Sequence, residues 1–409
     1  MGHRVSSIVL ALSCITSVHA QDGTQAPYPR STFIIRATWD FSMVEPLRKA
    51  PGSDLWPCTW AHDDELYCAW GDGGGFNGSE DRQRASLGFA RVEGAPDPEN
   101  ADAYRGTNIW GTPPGAEHQA VFGGKVGSII AVNDVLYATG GFFTTAHMPD
   151  PVSGYGVGPH ISMIWSDDLG RNWQLAPWAS RDALGSFLNF GKNNAHARDD
   201  YVYLYYQRGQ DAKHVFLKRV PQSGLKDDPA KSRRYEYFAG TRRGDTTPQW
   251  SHRARAAKPV FMDENNVEGA DVVYIPALDR YLLTAGHNPS GAPRDWSAGQ
   301  LGVFEAPHPW GPWSTVDYQE DWGGFGVEGK GDYLGLRFPT KWISADGKTL
   351  WGVFSRSFIR VQAWLAVPAH LPMMMRVPLT ELGSVRHIPD HGLSSVVAAA
   401  PADLTMARG

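Results

Sequence analysis

Short aromatic or apolar segments recur along the chain at intervals near seventy residues. They read ELYCAWGDG from residue 65, VLYATGGFF from 135, YVYLYYQRG from 201, RYLLTAGHN from 280 and TLWGVFSRS from 349. A tight polar turn precedes each: His62-Asp63-Asp64, Asn133-Asp134, Arg198-Asp199-Asp200, Leu278-Asp279 and Asp346-Gly347. Ahead of each turn lies a further apolar segment, LWPCTWA, GSIIAV, SFLNFG, DVVYIPA and FPTKWIS in chain order. A third strand follows in each unit (SLGFARVEG, HISMIWSDD, HVFLKRVPQ, LGVFEAPHP and VQAWLAVPA), and often a weaker fourth, as in NWQLAPW, YEYFAGT and GPWSTVDY. Self-similarity at one period signals a repeat architecture. Four antiparallel strands repeated five times predict an all-β chain folded as a five-bladed β-propeller with four-stranded blades. A β-sandwich, the competing all-β arrangement, does not repeat a four-strand unit at this period. STFIIRATWD (31–40) precedes the first complete unit and is expected to close the ring by pairing with the last.

The first twenty residues stand apart from this pattern. A short basic start (His3, Arg4) leads into an apolar run from Val5 to Val18 and a small-x-small site at Val18-His19-Ala20. This reads as a secretory signal peptide, too short to span a bilayer. The expected organisation is a signal peptide over 1–20, the propeller over 21–390 and a C-terminal tail over 391–409. Removal of Cys14 leaves Cys58 and Cys68, which an oxidising compartment would join as a disulfide. Asn77-Gly78-Ser79 is an N-glycosylation sequon, whereas proline blocks Asn288-Pro289-Ser290. With a net charge of −5 and no basic block, nucleic acid is a poor partner. No later segment suggests a membrane anchor, and a monomer is expected.

Two turns fit a hairpin-capping pattern. SDDLGRNW carries Ser166, Asp168, Gly170 and Trp173 at Asp-box spacing, and SADGKTLW (344–351) is a looser relative. Both are read as structural.

Propeller ligands bind on the face where inner strands begin and second strands end. The aspartates of the five turns belong to the other end and are turn formers. Asp54 and Asp72 fall at the ligand end of the first hairpin. Side chains alternate with period two, so the register that opposes Cys58 and Cys68 also opposes Asp54 and Asp72 on one face. Two carboxylates that close are unfavourable in a merely structural hairpin and push their proton affinities apart. Glycoside hydrolysis needs such a pair, one to protonate the leaving oxygen and one to act as base or nucleophile. Gly73-Gly74-Gly75 would let the backbone pass close to a sugar. The bland alternative makes Asp54 and Asp72 two loop caps.

Several segments (GSDLWPCTWAHDDELYCAWGDGGGF, SLGFARVEG, FGGKVGSI, FGKNNAHARDDYVYLYY, LGVFEAPHPWGPW and FPTKWISADGKTLWGVFS) are similar to secreted proteins of domain-of-unknown-function family 4185. The resemblance runs from roughly residue 40 to 360. That family includes endo-D-arabinanases, so the resemblance implies a five-bladed propeller, a glycan substrate and catalytic carboxylates at Asp54 and Asp72.

Further groups are expected on the same face. Lys125 begins the second inner strand and is suited to a hydroxyl, a carboxylate or an aspartate. Glu268, a candidate distant catalytic acid, and Asp271 precede the fourth inner strand. His287 and Arg356 end the second strands of units four and five, as Asp72 does in unit one. Phe76 is a candidate stacking group for a sugar ring, whereas Trp56 and Trp70 read as packing residues. Two other classes stay open: a polysaccharide lyase using His287, His196, Lys125 or Arg356 on a uronate, and a non-catalytic sugar-binding propeller. One asymmetric set of face residues favours a single site over one pocket per blade. No cofactor is implied and no metal signature is present: His147 and His160 lack ligand spacing, and a structural calcium ion would leave no trace in the sequence.

Overall fold

The computed structural model describes residues 25–41, 49–50, 52–79, 82–144, 160–180, 184–209, 211–288, 300–322, 334–355 and 357–365. The expected signal peptide, Arg356, His147 and the C-terminal tail lie outside these residues. The fold is all-β, and its strands fall into antiparallel groups at the predicted period.

Strand β1 (Ile34–Asp40) is followed by the first group, β2 (Cys58–Trp60), β3 (Leu66–Trp70), β4 (Gly88–Gly94) and β5 (Tyr104–Gly111), with β6 (His118–Gln119) parallel to β5. The second group is β7 (Phe122–Val132), β8 (Val135–Thr144), β9 (His160–Ser166) and β10 (Gln174–Leu175). The third is β11 (Ser186–Asn189), β12 (Tyr201–Tyr206), β13 (His214–Pro221), β14 (Glu236–Thr241) and β15 (Pro248–Ser251), with β16 (Pro259–Met262) also on β13. The fourth is β17 (Glu268–Ile275), β18 (Arg280–Gly286), β19 (Leu301–Ala306) and β20 (Ser314–Gln319). The last holds β21 (Leu334–Arg337), β22 (Thr349–Ser355) and β23 (Ser357–Leu365). β1 pairs antiparallel with β23, as expected for the segment at 31–40.

Neighbouring groups are joined near their first strands. Ala131 N–H donates to Thr59 Oγ1 (2.9 Å), Phe187 N–H to Ser128 Oγ (2.8 Å) and Thr284 Oγ1 to Leu336 O (2.6 Å). β11 and β17 pair in parallel, and Leu55 N–H reaches Ser355 Oγ (2.7 Å) from the first group back to the last. Cys58, Ser128, Asn189, Asp271 and Arg337, one from each group, line a narrow central cavity.

Burial on both faces explains why the strands read as continuous apolar runs rather than alternating ones. On β3, Leu66, Cys68 and Trp70 join a cluster with Trp342, Trp351 and Val353 of the last group. Tyr67 and Ala69 face the other way, into a cluster with Ile129 and Phe142 of the second group. β12 divides likewise, with Tyr203 and Tyr205 on one side and Val202, Leu204 and Tyr206 on the other. Trp56 and Trp70 are buried and stack at 5.9 Å, so they pack the core as the sequence suggests. Removing either indole would cost about 3–5 kcal/mol.

The aspartates of the connecting turns are turn formers, as read. Asp63 and Asp199 each accept a bond from the backbone two residues on and from a tyrosine four residues on, at 2.7 Å from Tyr67 and from Tyr203. Lys192 and Asn193 tie these turns together through Asp64 (2.8 Å) and Asp134 (2.8 Å). His196 belongs to that same loop, and its backbone N–H bonds Phe190 O. In the turn after β9, Ser166 Oγ accepts from Gly170 N–H (2.8 Å) and Asp168 accepts from Asn172 N–H (2.9 Å). Trp173 then stacks on Phe89 at 4.0 Å.

Candidate active site

β2 and β3 pair in the register that sets Cys58 opposite Cys68, and the two form a disulfide with Cα atoms 4.1 Å apart. Beyond Cys58 the register slips by one. Asp54 pairs with Gly71, exchanging both backbone bonds at 2.8 and 3.0 Å, so Asp54 does not stand directly across from Asp72. The first strand holds one extra residue, a β-bulge. Leu55 (φ 73°) and Trp56 (φ 45°) take it up in the left-handed region, which costs a non-glycine residue roughly 1–2 kcal/mol.

The bulge still leaves both aspartates at one end of the hairpin, where a lysine pairs with Asp72. Lys125, on β7, places Nζ 2.7 Å from Asp72 Oδ1 and 2.9 Å from Ser86 O. Arg84 adds Nη2 at 3.3 Å from Asp72 Oδ1, while its Nη1 donates to Asp72 O at 2.6 Å. Gly71 is the pivot. A Cβ there would lie 2.7 Å from Asp54 Oδ1 and 3.3 Å from Lys125 Nζ, so the Asp54 carboxylate and the Lys125 ammonium flank one point. The like-charge repulsion expected of an isolated carboxylate pair is therefore offset by two cations. The Asp72 side chain is 24% exposed and that of Lys125 37%, so solvent reaches this ion pair, whereas Asp54 Oδ1 is buried beside it.

The glycine loop has a different purpose from the one the sequence suggests. A Cβ on Gly73 would meet Gly52 O at 2.2 Å, and one on Gly74 would meet Arg82 O at 2.2 Å. A Cβ on Gly75 (φ 63°) would meet Asn108 Oδ1 at 2.5 Å. These glycines allow the backbone to fold on itself around buried Asn108, whose Nδ2 donates to Gly74 O, Phe76 O and Gly115 O. Asn108 Oδ1 accepts from Phe76 N–H at 2.9 Å, and Ser53 Oγ accepts from Gly75 N–H at 2.8 Å.

Three candidate ligand groups are corrected. Phe76 is 4% exposed, edge-on to Trp56 at 5.5 Å, and fills the space left by Gly106, so it packs the core and offers no stacking face. Asp271 is buried and ion-paired with Arg337 at 2.9 Å, facing the central cavity rather than the Asp54 cluster. Burial raises its proton affinity and the Arg337 guanidinium opposes that rise. His287 is buried, stacked on Tyr318 at 3.9 Å with Glu320 at 3.7 Å. Burial lowers its pKa to about 4, against the opposing pull of Glu320.

Glu268 opens β17 opposite Gly286 and is partly exposed. Asn77 is exposed, with its carbonyl accepting from Arg82. Arg84 and Ser86 were missed. β3 ends and β4 begins at this face, so the loop joining them, residues 71–87, had to deliver side chains there. Among the described residues, no group of three or more His, Cys, Asp or Glu side chains converges.

The pattern of the domain of unknown function 4185 (DUF4185) matches residues 128–356, more than half of the chain. The chain belongs to this family. Asp54, Asp72 and Lys125 lie ahead of the stretch that defines this DUF4185 protein's membership. No curated protein sequence matches it. Among solved structures, a Bacteroides ovatus protein named as a candidate hydrolase shares 13% identity at a TM-score of 0.45, covering 77% of this chain and 86% of its own. A thermostable family-43 glycoside hydrolase shares 14% at 0.40, covering 84% and 99%. A xylan β-1,4-xylosidase from Bacillus halodurans C-125 shares 10% at 0.41, covering 85% and 61%. At these values none carries its chemistry to the DUF4185 chain. No helix among the described residues is long and apolar enough to cross a membrane.

Proposed function

We propose that the strand groups are the blades of a five-bladed β-propeller, and that the first blade carries the site of a secreted glycoside hydrolase. Its substrate is a polysaccharide or oligosaccharide of arabinan-like or other furanoside or pyranoside type. One observation carries the reading: the Asp54 carboxylate and the Asp72–Lys125 ion pair flank Gly71 at the open end of a disulfide-closed hairpin, and the ion pair stays partly exposed.

Hydrolysis needs a carboxylate to act as base or nucleophile and a carboxylic acid to protonate the departing oxygen. Asp72, ion-paired with Lys125, is the ionised member. It draws a proton from the attacking water or attacks the anomeric carbon itself. Asp54, with Oδ1 sealed against Gly71, or Glu268 at the start of β17 gives its proton to the glycosidic oxygen as the carbon–oxygen bond breaks. Lys125 holds Asp72 in place and orients a substrate hydroxyl.

The test is product analysis on a panel of D-arabinan, L-arabinan and uronate polymers, with Asp72→Asn alongside. Reducing ends that appear without ultraviolet absorbance, and vanish in the variant, support the hydrolase. Double-bond absorbance that survives the substitution makes the protein a lyase. Binding without product reduces it to a sugar-binding propeller. Glu268→Gln then identifies the acid. If Glu268 is the donor, the variant keeps its rate on aryl glycosides, whose leaving groups need no proton, and loses it on the polymer.

A further inference from the structure

The left-handed bulge beside Asp54 is closed locally by a single bond, Trp56 N–H to Asp54 O at 3.1 Å across Leu55. Neither Leu55 nor Trp56 favours positive φ, and the bulge sits where strain is most often stored for function. Its other support comes from the last strand group. Leu55 N–H donates to Ser355 Oγ at 2.7 Å, and Leu55 O accepts from Arg337 Nε at 3.2 Å. The peptides on both sides of Leu55 are thus gripped by β22 and β21. Arg337 is itself held, since its Nη1 donates to Asp271 Oδ1 at 2.9 Å and both side chains are buried. The guanidinium fork is needed here, because one end reaches a carboxylate on β17 while the other reaches a carbonyl in the first group. An ammonium cannot span both.

We infer that Arg337, braced by Asp271, is a positioning residue that sets the Asp54 carboxylate against Gly71 and Lys125. The inference rests on the carboxylate-pair reading above. The N–H held by Ser355 belongs to the peptide that Asp54 begins, and Asp54 O is fixed by Gly71 N–H at 3.0 Å and Trp56 N–H at 3.1 Å. Arg337 holds the following peptide through Leu55 O, so with Ser355 it fixes both torsions of Leu55 and hence the direction in which the chain leaves Asp54. A buried ion pair contributes little net stability over a well-packed apolar pair, so its value at this place is geometric.

The experiment uses the full secreted chain, labelled with ¹³C at the aspartate carboxyls, with the Asp54 signal assigned by Asp54→Asn. The Asp271→Asn/Arg337→Gln double variant removes both charges together, leaving no lone buried charge. The Asp54 titration curve is expected to move, with kcat down about 10- to 100-fold and KM changed less than about threefold, the signature of a misplaced group. Adding Leu55→Gly, which adopts positive φ freely, is expected to restore part of kcat. If the double variant does not fold, Asp271→Leu/Arg337→Met decides the matter, since it removes the same bond to Leu55 O while filling the buried site with apolar groups of similar size. An Asp54 curve that superimposes on wild type overturns the inference, as does a raised KM with kcat intact, which would place Arg337 on the substrate. A shifted Asp54 signal in a protein that cleaves no glycan sinks the hydrolase reading and leaves the positioning intact.

Discussion

Lys125 and Asp72 join the first two strand groups through one 2.7 Å ion pair, and a second bond of the lysine goes to the Ser86 carbonyl. Two of the ammonium's three donors are thereby placed, and they fix Asp72 against the backbone at Ser86.

Lys125→Met keeps the apolar stem and removes the charge. The pair is partly exposed, so its loss should cost at most about 1 kcal/mol of stability. Turnover should fall by about 100-fold, as when one preorganised polar contact is deleted from an active site. Urea melts beside initial rates test this. A stability loss that tracks the rate loss would make the lysine a structural strut.

Gly71→Ala probes the same point by shape. Its Cβ would stand 2.7 Å from Asp54 Oδ1 and 3.1 Å from Lys125 Cδ, so one or both charged groups must move. Gly127, on the same β7 strand as Lys125, has nothing nearer than 3.8 Å, and Gly127→Ala is the control. Activity should be lost in the first and kept in the second, with both proteins folded. Equal activity in the two would remove Gly71 from the site.

The period near seventy and the polar turns were legible because each repeats or is local, and the closing strand because it is the strand-like segment left over ahead of the first unit. The register at Asp54 was not. Alternation carries pairing only while a strand stays regular, and the extra residue is stabilised by Ser355 and Arg337, 300 and 282 residues away. Phe76 misled for a similar reason. Its glycine-rich surroundings suggested an open loop, whereas Asn108, 32 residues on, folds that loop inward. Lys125 was recognised as a possible partner for an aspartate because it begins an inner strand. Arg84 was missed because a lone arginine in a polar loop has no pattern to mark it.

The Cys58–Cys68 bond closes a loop of sequence separation 10, for which chain entropy suggests about 3 kcal/mol of stabilisation. The double Cys58→Ser/Cys68→Ser variant should lose that amount in denaturant melts. It should also lose activity at temperatures well below its melting point, because the hairpin end that carries Asp54 and Asp72 opens first. Unchanged kinetics in the folded variant would show that the bulge clamp alone holds the site.

Asn108→Leu tests the inward fold of the glycine loop. The amide makes four hydrogen bonds to backbone groups, one at each of Gly74, Gly115 and both ends of Phe76. Leucine leaves those groups buried without it, at about 1–3 kcal/mol for each that finds no other partner. The variant should be destabilised by several kcal/mol and should become susceptible to proteolysis between residues 73 and 79. A melt within about 1 kcal/mol of wild type would mean that the loop holds itself.

His287 gives the fold a pH dependence of definite sign. Burial sets its pKa at about 4 in the folded chain, against 6.5 when exposed. Above pH 6.5 both states are neutral at this position and the term vanishes. Between pH 6.5 and 4 the unfolded chain binds the proton and the folded chain does not, so stability falls as the pH falls. Below pH 4 the loss levels off, at roughly 3 kcal/mol for a shift of this size. Glu320 at 3.7 Å faces the ring, and Tyr318, stacked on it, is bonded to Asp263. Both carboxylates persist when the histidine is replaced, so His287→Phe isolates the term while keeping an aromatic ring on Tyr318. The variant's stability should decline less than that of wild type from pH 6.5 to 4, and the two curves should run parallel above pH 7. Parallel curves across the whole range would mean that the imidazole is protonated in the folded protein, with Glu320 outweighing its burial.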